Sequence, residues 1–525
     1  MPEKFYITTA IDYPNNRPHI GHAFEKIGAD VQARYRRMQG WDTHFLIGND
    51  ENTVKVSKRA AELGRETKQY VDEMAEHFKT AWRSLVISND DFIQTSEERH
   101  RIGCQKFMQK VFDAGYIYKK SYEALYCEGC EGFKTTRDLM DGRCQTHPNQ
   151  ELKTLQEENY FFALSQFRDR LLKLYEEHPD FIQPETRRNE IVSLVTGGLE
   201  DISITRQHLD WGIRTPFDET QTIYVWFDAL LNYITGVGYG TDEARFRRWW
   251  PADMHVIGKD ITRFHCALWP AMLMAAGVEL PRRVQVHGFV MTRDESGQLA
   301  KMSKSLGNVV NPMDLYGQFG VDGFRYFFMR ECPYTGDGEF SYERFITVYN
   351  SDLANNLGNL YSRALTMCLR YFEGELRGSG AVQPTEVFEG IDLAAVVRDV
   401  QQRVESCEYN LALAAIWQQV LDPANRYIDR TKPFELAKKD RDACGRVLCQ
   451  LAEALRVGAI LMKPFIPIAA AKIYGGFNYS TPFGEVRFED AWDCRARASD
   501  LQVTAELRDG KVPPLFPRIE VAGTP

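Results

Sequence analysis

An apolar run from Phe5 to Ile11, the turn Asp12-Tyr13-Pro14-Asn15-Asn16-Arg17-Pro18 and then His19-Ile20-Gly21-His22 at the head of an amphipathic stretch give strand, loop and helix start in one piece of sequence. Such junctions bind phosphates, because helix N-terminal amides offer unpaired donors and a partial positive charge, and Gly21 leaves room for close approach. His19 and His22, three residues apart, share one helix face and reach the same polyphosphate. Far downstream, Lys301-Met302-Ser303-Lys304-Ser305 adds two cations and two hydroxyls after a glycine-containing turn, suited to charge that builds on a departing pyrophosphate. Neither motif is specific alone. In this order and local context they point to a site that activates a carboxylate with ATP to form an adenylate.

Composition sets bounds on the rest. At 525 residues the chain holds several domains. It has no apolar run of about 18 residues and no signal-peptide pattern, so we expect no membrane span and a cytoplasmic protein. The net charge of −9 argues against indiscriminate nucleic-acid binding but allows a local basic surface. Eleven cysteines fit a reducing compartment in which most are buried thiols.

Strands and helices alternate from Phe5 to about Ala114. The pattern predicts a helix over His19 to Arg37, a strand over Thr43 to Gly48, and helices around Lys55 to Leu63 and Thr67 to Leu85. Aromatic-rich short strands, cysteines and turns follow, with a helical pattern from Glu158 to Glu177, so residues 115–218 read as an insertion. Strand–helix alternation resumes at Thr222 to Tyr233 and His255 to Gly277, and Val284 to Val290 is a further apolar strand. Beyond Asp314 to Arg330, amphipathic stretches at Thr347 to Tyr371, Leu393 to Val420 and Ala443 to Met462 predict a helical bundle, with Gly374 to Thr385 the most linker-like segment.

Within the insertion, Cys127-x2-Cys130, thirteen residues, and Cys144-x2-His147 offer three thiolates and an imidazole at spacings that close a tetrahedral zinc site. With four protein ligands and no place for water, one structural Zn2+ is expected, stabilising a ribbon too small to build its own core.

On the histidine and lysine motifs the chain resembles the class I aminoacyl-tRNA synthetases, and within that class its pocket residues are similar to those of the methionyl-tRNA synthetase family over essentially the whole length. The resemblance implies an α/β fold: a Rossmann-type doubly wound parallel sheet split by a zinc-knuckle insertion and followed by an α-helical anticodon-binding bundle. It divides the chain into residues 1–114 and 219–280 as the halves of the catalytic domain, 115–218 as the connective insertion, 281–345 as the lysine-loop and stem-contact region, and 346–525 as the anticodon-binding domain with a C-terminal return segment. By the same resemblance His19, His22, Lys301 and Lys304 are catalytic, and His19, Gly21, His22, Gly258, Asp260, Val290 and Lys304 hold ATP with its Mg2+. Ile11, Tyr13, Trp226, Ala229, Tyr233 and His265 line the methionine pocket, with Asp50 and the Ile11 carbonyl receiving the ammonium. Asn359, Arg363 and Phe434 are implied to read the anticodon, and Cys127, Cys130, Cys144 and His147 to bind the metal. The physical readings agree: aromatic walls with a nearby donor suit a polarizable thioether, and a buried carboxylate facing an ammonium is compensated.

The implied activity is ATP-dependent formation of methionyl-adenylate and transfer to initiator and elongator tRNA(Met), with L-methionine, ATP and tRNA as partners, no membrane, and a monomer. The monomer follows from the ending Pro514-Leu515-Phe516-Pro517-Arg518-Ile519-Glu520, which resembles the close of the family's catalytic core with almost nothing after it. The insertion is too small for the editing domain of the isoleucine and valine enzymes. Three positions depart from the family pattern: Asn52 where histidine is usual, the acid Asp12 beside the pocket, and Phe434 in place of tryptophan. Two other readings are a paralog that loads a small acceptor, favoured by Asn52 and Phe434, and a tRNA-binding module with a relic nucleotide site, against which the intact His19, His22 and Lys304 argue.

Overall fold

A computed structural model describes residues 3–127, 132–134, 139–145, 149–207, 209–293, 297, 299–301, 312–376, 385–492, 501–504 and 512–520. Its centre is a six-stranded sheet of β1 (Lys4–Thr9), β2 (Asp42–Asn49), β3 (Asp91–Gln94), β4 (Ile182–Gln183), β5 (Met254–Gly258) and β6 (Val284–His287), in the order β3-β2-β1-β5-β6-β4. Every neighbouring pair is parallel; Ile7, for example, lies between Phe45 of β2 and Met254 of β5. Both faces are covered. Phe5 and Ile7 pack into the core on one side while Tyr6 packs into that on the other, which is why β1 reads as an unbroken apolar run. The chain winds outward from β1 to β3, crosses to the opposite edge at β4 and returns to β5 on the other side of β1, followed by β6. This reversal opens a crevice at the carboxyl ends of β1 and β5.

Helix α1 (Ile20–Met38) joins sheet to bundle. Its Gly28 faces Tyr334 so closely that a Cβ would come within 2.1 Å of the ring, and Tyr409 Oη donates to the Gly28 carbonyl at 2.8 Å. Fully buried Arg325 pairs with Asp30 of α1 at 2.7 Å and donates to the carbonyls of Leu85, Pro464 and Phe465. One apolar core runs from β1 through α1 into the helices. The segment that starts at His19 is thereby held from both sides.

The structure differs from the sequence expectation at several elements. Residues 158–162, expected to be helical, form the end of a strand, Lys153–Phe162, antiparallel to Ile117–Cys127; the helix begins at Arg168. Ile182–Gln183, inside the expected insertion, pairs with Val284 and Gln285 as an edge strand of the central sheet. The run expected as one strand over Val284 to Val290 divides: Val284–His287 stays in the sheet and Val290–Arg293 starts a separate one. The stretch Leu393 to Val420 breaks at Cys407, whose φ of 59° ends the helix Leu393–Glu405 before Tyr409–Ile416 begins. No helix among the described residues is long and apolar enough to cross a membrane.

Candidate active site

The histidine motif is its own helix cap. His19 is the N-cap of α1, in extended conformation, and its Nδ1 accepts from the Gly21 amide at 3.1 Å. The His22 Nδ1 accepts from the His19 amide at 3.2 Å. An acceptor nitrogen carries no proton, so each neutral ring bears its N–H at Nε2. The rings stack with centroids 3.8 Å apart and 19° between planes. Glycine is required between them, because a Cβ at Gly21 would come within 2.9 Å of the His19 ring.

Behind this pair lies a charge cluster only partly visible in sequence. Lys26, wholly buried, donates to Asp12 Oδ1 and Glu25 Oε1 at 2.7 Å each and to the Ala10 carbonyl at 2.9 Å, using all three of its protons. Glu25 Oε2 meets His287 Nε2 at 3.0 Å, and Asp12 Oδ1 lies 4.0 Å from His22 Nε2. Burial opposes ionisation of both acids, but Lys26 and His287 together hold Glu25 below its usual range. Asp12, with burial outweighing its share of Lys26 and with Glu25 nearby, is pushed up to about 7. The consequence of Asp12, open from sequence, is therefore a carboxyl that protonates near neutrality beside the histidine pair.

On the other side of the β1 terminus, Ile11 and Tyr13 are half-buried and flank Asp12, whose amide and carbonyl bond to Gly48 and Asp50 at 2.9 Å each. These bonds put Asp50, 2% exposed, next to Ile11 and Tyr13 at the crevice. The short helix Val225–Ala229 brings in Trp226, which stacks on Phe264 with centroids 3.9 Å apart and planes 3° apart and meets His265 edge-on. Tyr233 Oη lies 2.7 Å from His265 Nε2, while His265 Nδ1 lies 3.1 Å from the Ile261 carbonyl. Burial drops the His265 pKa to about 4. A neutral ring donating from Nδ1 to the carbonyl must accept at Nε2, so the tyrosine hydroxyl is the donor. His265 lies in a π-helical turn, Phe264–Leu268, an irregularity frequent at functional sites. Buried Ala229 completes the group of Trp226, Tyr233 and His265 expected to line the pocket.

At the end of β5, Gly258 precedes exposed Asp260, and a Cβ on Gly258 would stand 3.0 Å from the Asp260 carboxylate. Val290, 2% exposed, begins a strand in which Met291 pairs with Lys301, so the lysine motif enters the site region along a hairpin. Residues Met302 to Ser305, including Lys304, lie outside the described residues. So do Cys130 and His147; Cys127 and Cys144 are described, and both thiols are buried. Cys127 ends the strand Ile117–Cys127 and Cys144 ends the short strand Arg143–Cys144. In the bundle, exposed Asn359 and half-buried Arg363 lie one turn apart on Asn359–Phe372, Arg363 pairs with Asp429 at 3.2 Å, and Phe434 is 46% exposed on the adjacent helix Pro433–Lys439.

One histidine–cysteine–aspartate cluster, His100, Cys104 and Asp228, has metal-ligand composition. Its His100 Nε2 and Asp228 Oδ1 are 2.6 Å apart. Two ligands about 2 Å from one ion at tetrahedral angles lie about 3.3 Å apart, so this is a hydrogen bond. The roles of His100, Asp228, Glu25, Lys26 and His287 were missed in the sequence. Only an isolated charge within an apolar helix face, as at Lys26, could have signalled them.

A doubly wound sheet, a histidine-capped helix at its switch point and a helical appendage define a class I aminoacyl-tRNA synthetase, an enzyme. Residues 5–152 and 135–365 match the family described as tRNA synthetases class I (M), and residues 392–506 match the anticodon-binding domain of tRNA ligases. The methionine–tRNA ligase of Caldanaerobacter subterraneus subsp. tengcongensis is 44% identical over 99% of this chain and 80% of its own length. That of Bacillus subtilis is 39% identical over 99% and 79%. Among solved structures, Mycobacterium tuberculosis methionyl-tRNA synthetase in complex with methionyl-adenylate superposes with a TM-score of 0.89 at 37% identity, covering 98% of this chain and all of that one. The free form of the same protein gives 0.81 at 35% identity, covering 99% of each. The chain belongs to the methionyl-tRNA synthetase family.

Proposed function

We propose that this chain activates L-methionine with ATP to methionyl-adenylate and transfers it to initiator and elongator tRNA(Met), working as a monomer in the cytoplasm. The observation that carries the reading is the convergence, at one switch point, of a stacked histidine pair that caps α1 and an aromatic cluster with the buried Asp50 carboxylate beside it. The nine described cysteines are all buried, as small apolar side chains are in a reducing compartment.

In the first step the methionine carboxylate attacks the ATP α-phosphorus in line and magnesium-bound pyrophosphate leaves. The chain needs no nucleophile of its own; it aligns the reactants and stabilises growing charge. Asp50 and the Ile11 carbonyl take the ammonium, and Tyr13, Trp226, Ala229, Tyr233 and His265 enclose the side chain. The Tyr233 hydroxyl, already committed to His265, keeps that ring's orientation fixed against the thioether. His19 and His22 donate to the phosphates, Gly21 and Gly258 leave room for the nucleotide, Asp260 accepts from the ribose, and Val290 meets the adenine. Lys304 closes on the leaving pyrophosphate, and Lys301 steadies the loop. In the second step the terminal adenosine of tRNA takes the acyl group, while Asn359, Arg363 and Phe434 read the anticodon. Cys127, Cys130, Cys144 and His147 would hold one zinc ion that fixes the fold of the 115–218 insertion and takes no part in the chemistry. The division into residues 1–114, 115–218, 219–280, 281–345 and 346–525 serves this scheme.

The test is Lys304→Ala in methionine-dependent ATP–pyrophosphate exchange. Turnover should fall by orders of magnitude with little change in methionine affinity, and unchanged turnover would remove the clamp from the scheme.

A further inference from the structure

The five-residue helix Val225–Ala229 carries two walls of the amino-acid pocket but has no side-chain cap and is too short to hold its own position. What holds it is buried beneath. The Asp228 carboxylate, fully buried, accepts from Asn52 Nδ2 at 2.7 Å on one oxygen and lies 2.6 Å from His100 Nε2 on the other, with the Cys104 thiol at 3.5 Å. His100 Nδ1 lies 2.7 Å from Thr235 Oγ1, and that hydroxyl donates to the Leu231 carbonyl at 3.0 Å. Its oxygen must then accept, so His100 donates from Nδ1, and the remaining short contact places one proton between His100 Nε2 and Asp228. Asn52 spends its second amide proton on the Thr95 carbonyl at 3.0 Å. The Glu51 amide donates to Thr95 Oγ1 at 2.8 Å, and Trp211 donates to the Glu51 carbonyl at 2.7 Å. Three separate segments meet at one carboxylate: residues 50–53, the helix Glu98–Asp113 and the pocket helix with its successor Asn232–Thr235.

Asp50 is two residues from Asn52, and Trp226 and Ala229 flank Asp228. We propose that Asp228, held by Asn52 and His100, is a positioning residue that sets the separation between the ammonium-binding acid and the side-chain pocket, and so selects amino acids by side-chain length. The proposal rests on the assignment of Asp50 and Trp226 to methionine. Its physical basis is that a site distinguishes lengths only as finely as its two ends are held. A buried carboxylate with three fixed donors is costly to displace, because any shift leaves a charge or a donor unpaired. The network also accounts for the departure at Asn52: the amide supplies two donors, here taken by Asp228 and by Thr95.

The experiment measures pyrophosphate exchange by wild type, Asn52→Ala and Asn52→Gln with methionine, S-methylcysteine (one methylene shorter) and ethionine (one longer). For both variants the KM for methionine should rise about tenfold or more with the KM for ATP unchanged, and the preference for methionine over both analogues should narrow. Asn52→Gln keeps a donor but displaces it, so it reads geometry even if Asn52→Ala fails to fold. Asp228→Asn combined with Asn52→Ala should add little to the stronger single effect. Unchanged length preference in a folded variant, or equal rises in both KM values, would overturn the proposal. Wild type inactive with methionine would instead remove the pocket assignment on which it rests.

Discussion

Replacing Lys26 by methionine tests whether the buried cluster beneath the histidine pair is a supporting element. Methionine keeps most of the apolar stem and removes the charge. In the native chain the ammonium makes three hydrogen bonds of 2.7 to 2.9 Å, two of them to carboxylates that are 5% and 6% exposed. Removing one partner from a buried ion pair costs about 3–5 kcal/mol. Two features place this case at the lower end: Asp12 can take up a proton, and Glu25 keeps His287 at 3.0 Å. A loss of about 3 kcal/mol divided by a urea slope of about 3 kcal/mol/M lowers the midpoint by about 1 M. Tryptophan fluorescence is a suitable reporter, since Lys26 Nζ lies 5.9 Å from the Trp82 ring. The double variant Lys26→Met with Glu25→Gln should recover part of the loss, because Glu25 is the carboxylate that stays charged once Asp12 has taken up its proton. A midpoint shift under about 0.3 M for Lys26→Met, or no recovery in the double variant, would refute the reasoning.

Tyr233→Phe removes the only donor assigned to His265 Nε2 and leaves a buried acceptor unpaired, at about 1–3 kcal/mol; the KM for methionine should rise while that for ATP holds, and a change confined to ATP would place the pair outside the amino-acid pocket. Asp12 has a native pKa of about 7 against an ordinary 3.8, so the native chain retains a proton that the unfolded chain has lost between those values. Its contribution to stability is present below about pH 4 and is lost as pH rises through about 7, and urea midpoints from pH 4 to 8 should decline less in Asp12→Asn than in wild type. Glu51, pushed up to about 7 by burial, titrates with the same sign in both proteins and cancels in the comparison; identical slopes would contradict the assignment. Phe434→Ala should weaken tRNA charging by about 1–3 kcal/mol in apparent affinity, the worth of one stacked base, and spare pyrophosphate exchange. Equal loss in both assays would make that side chain structural.

How much of this was legible in the sequence depends on whether the determinant is local. The β1–turn–α1 junction was readable because the same residues that end the strand also cap the helix: the His19 and Gly21 geometry is closed within four residues. Trp226, Tyr233 and His265 could be grouped only by resemblance, since their association depends on Val225–Ala229, Asn232–Thr235 and a distant π-helical turn meeting behind the sheet. The strand ending at Phe162 was misread as helix because its apolar residues also fit helical spacing, and pairing with Ile117–Cys127 decided the matter. A two-residue strand such as Ile182–Gln183 has no period to detect. The charge cluster and the Asp228 network were visible only at Asp12 and Asn52, for a different reason: each brings together polar residues from distant segments, Glu25 and His287 lying 262 positions apart, and no local pattern encodes that encounter.

The central claim, activation of methionine and its transfer to tRNA, is tested most directly by charging initiator and elongator methionine tRNA with labelled methionine, with methionine-dependent ATP–pyrophosphate exchange run in parallel on the same preparation. The account predicts both activities, dependent on methionine. Exchange without charging would contradict the tRNA assignment and favour a small acceptor, and absence of both would contradict the assignment of the crevice at β1 and β5 as the site of adenylate formation.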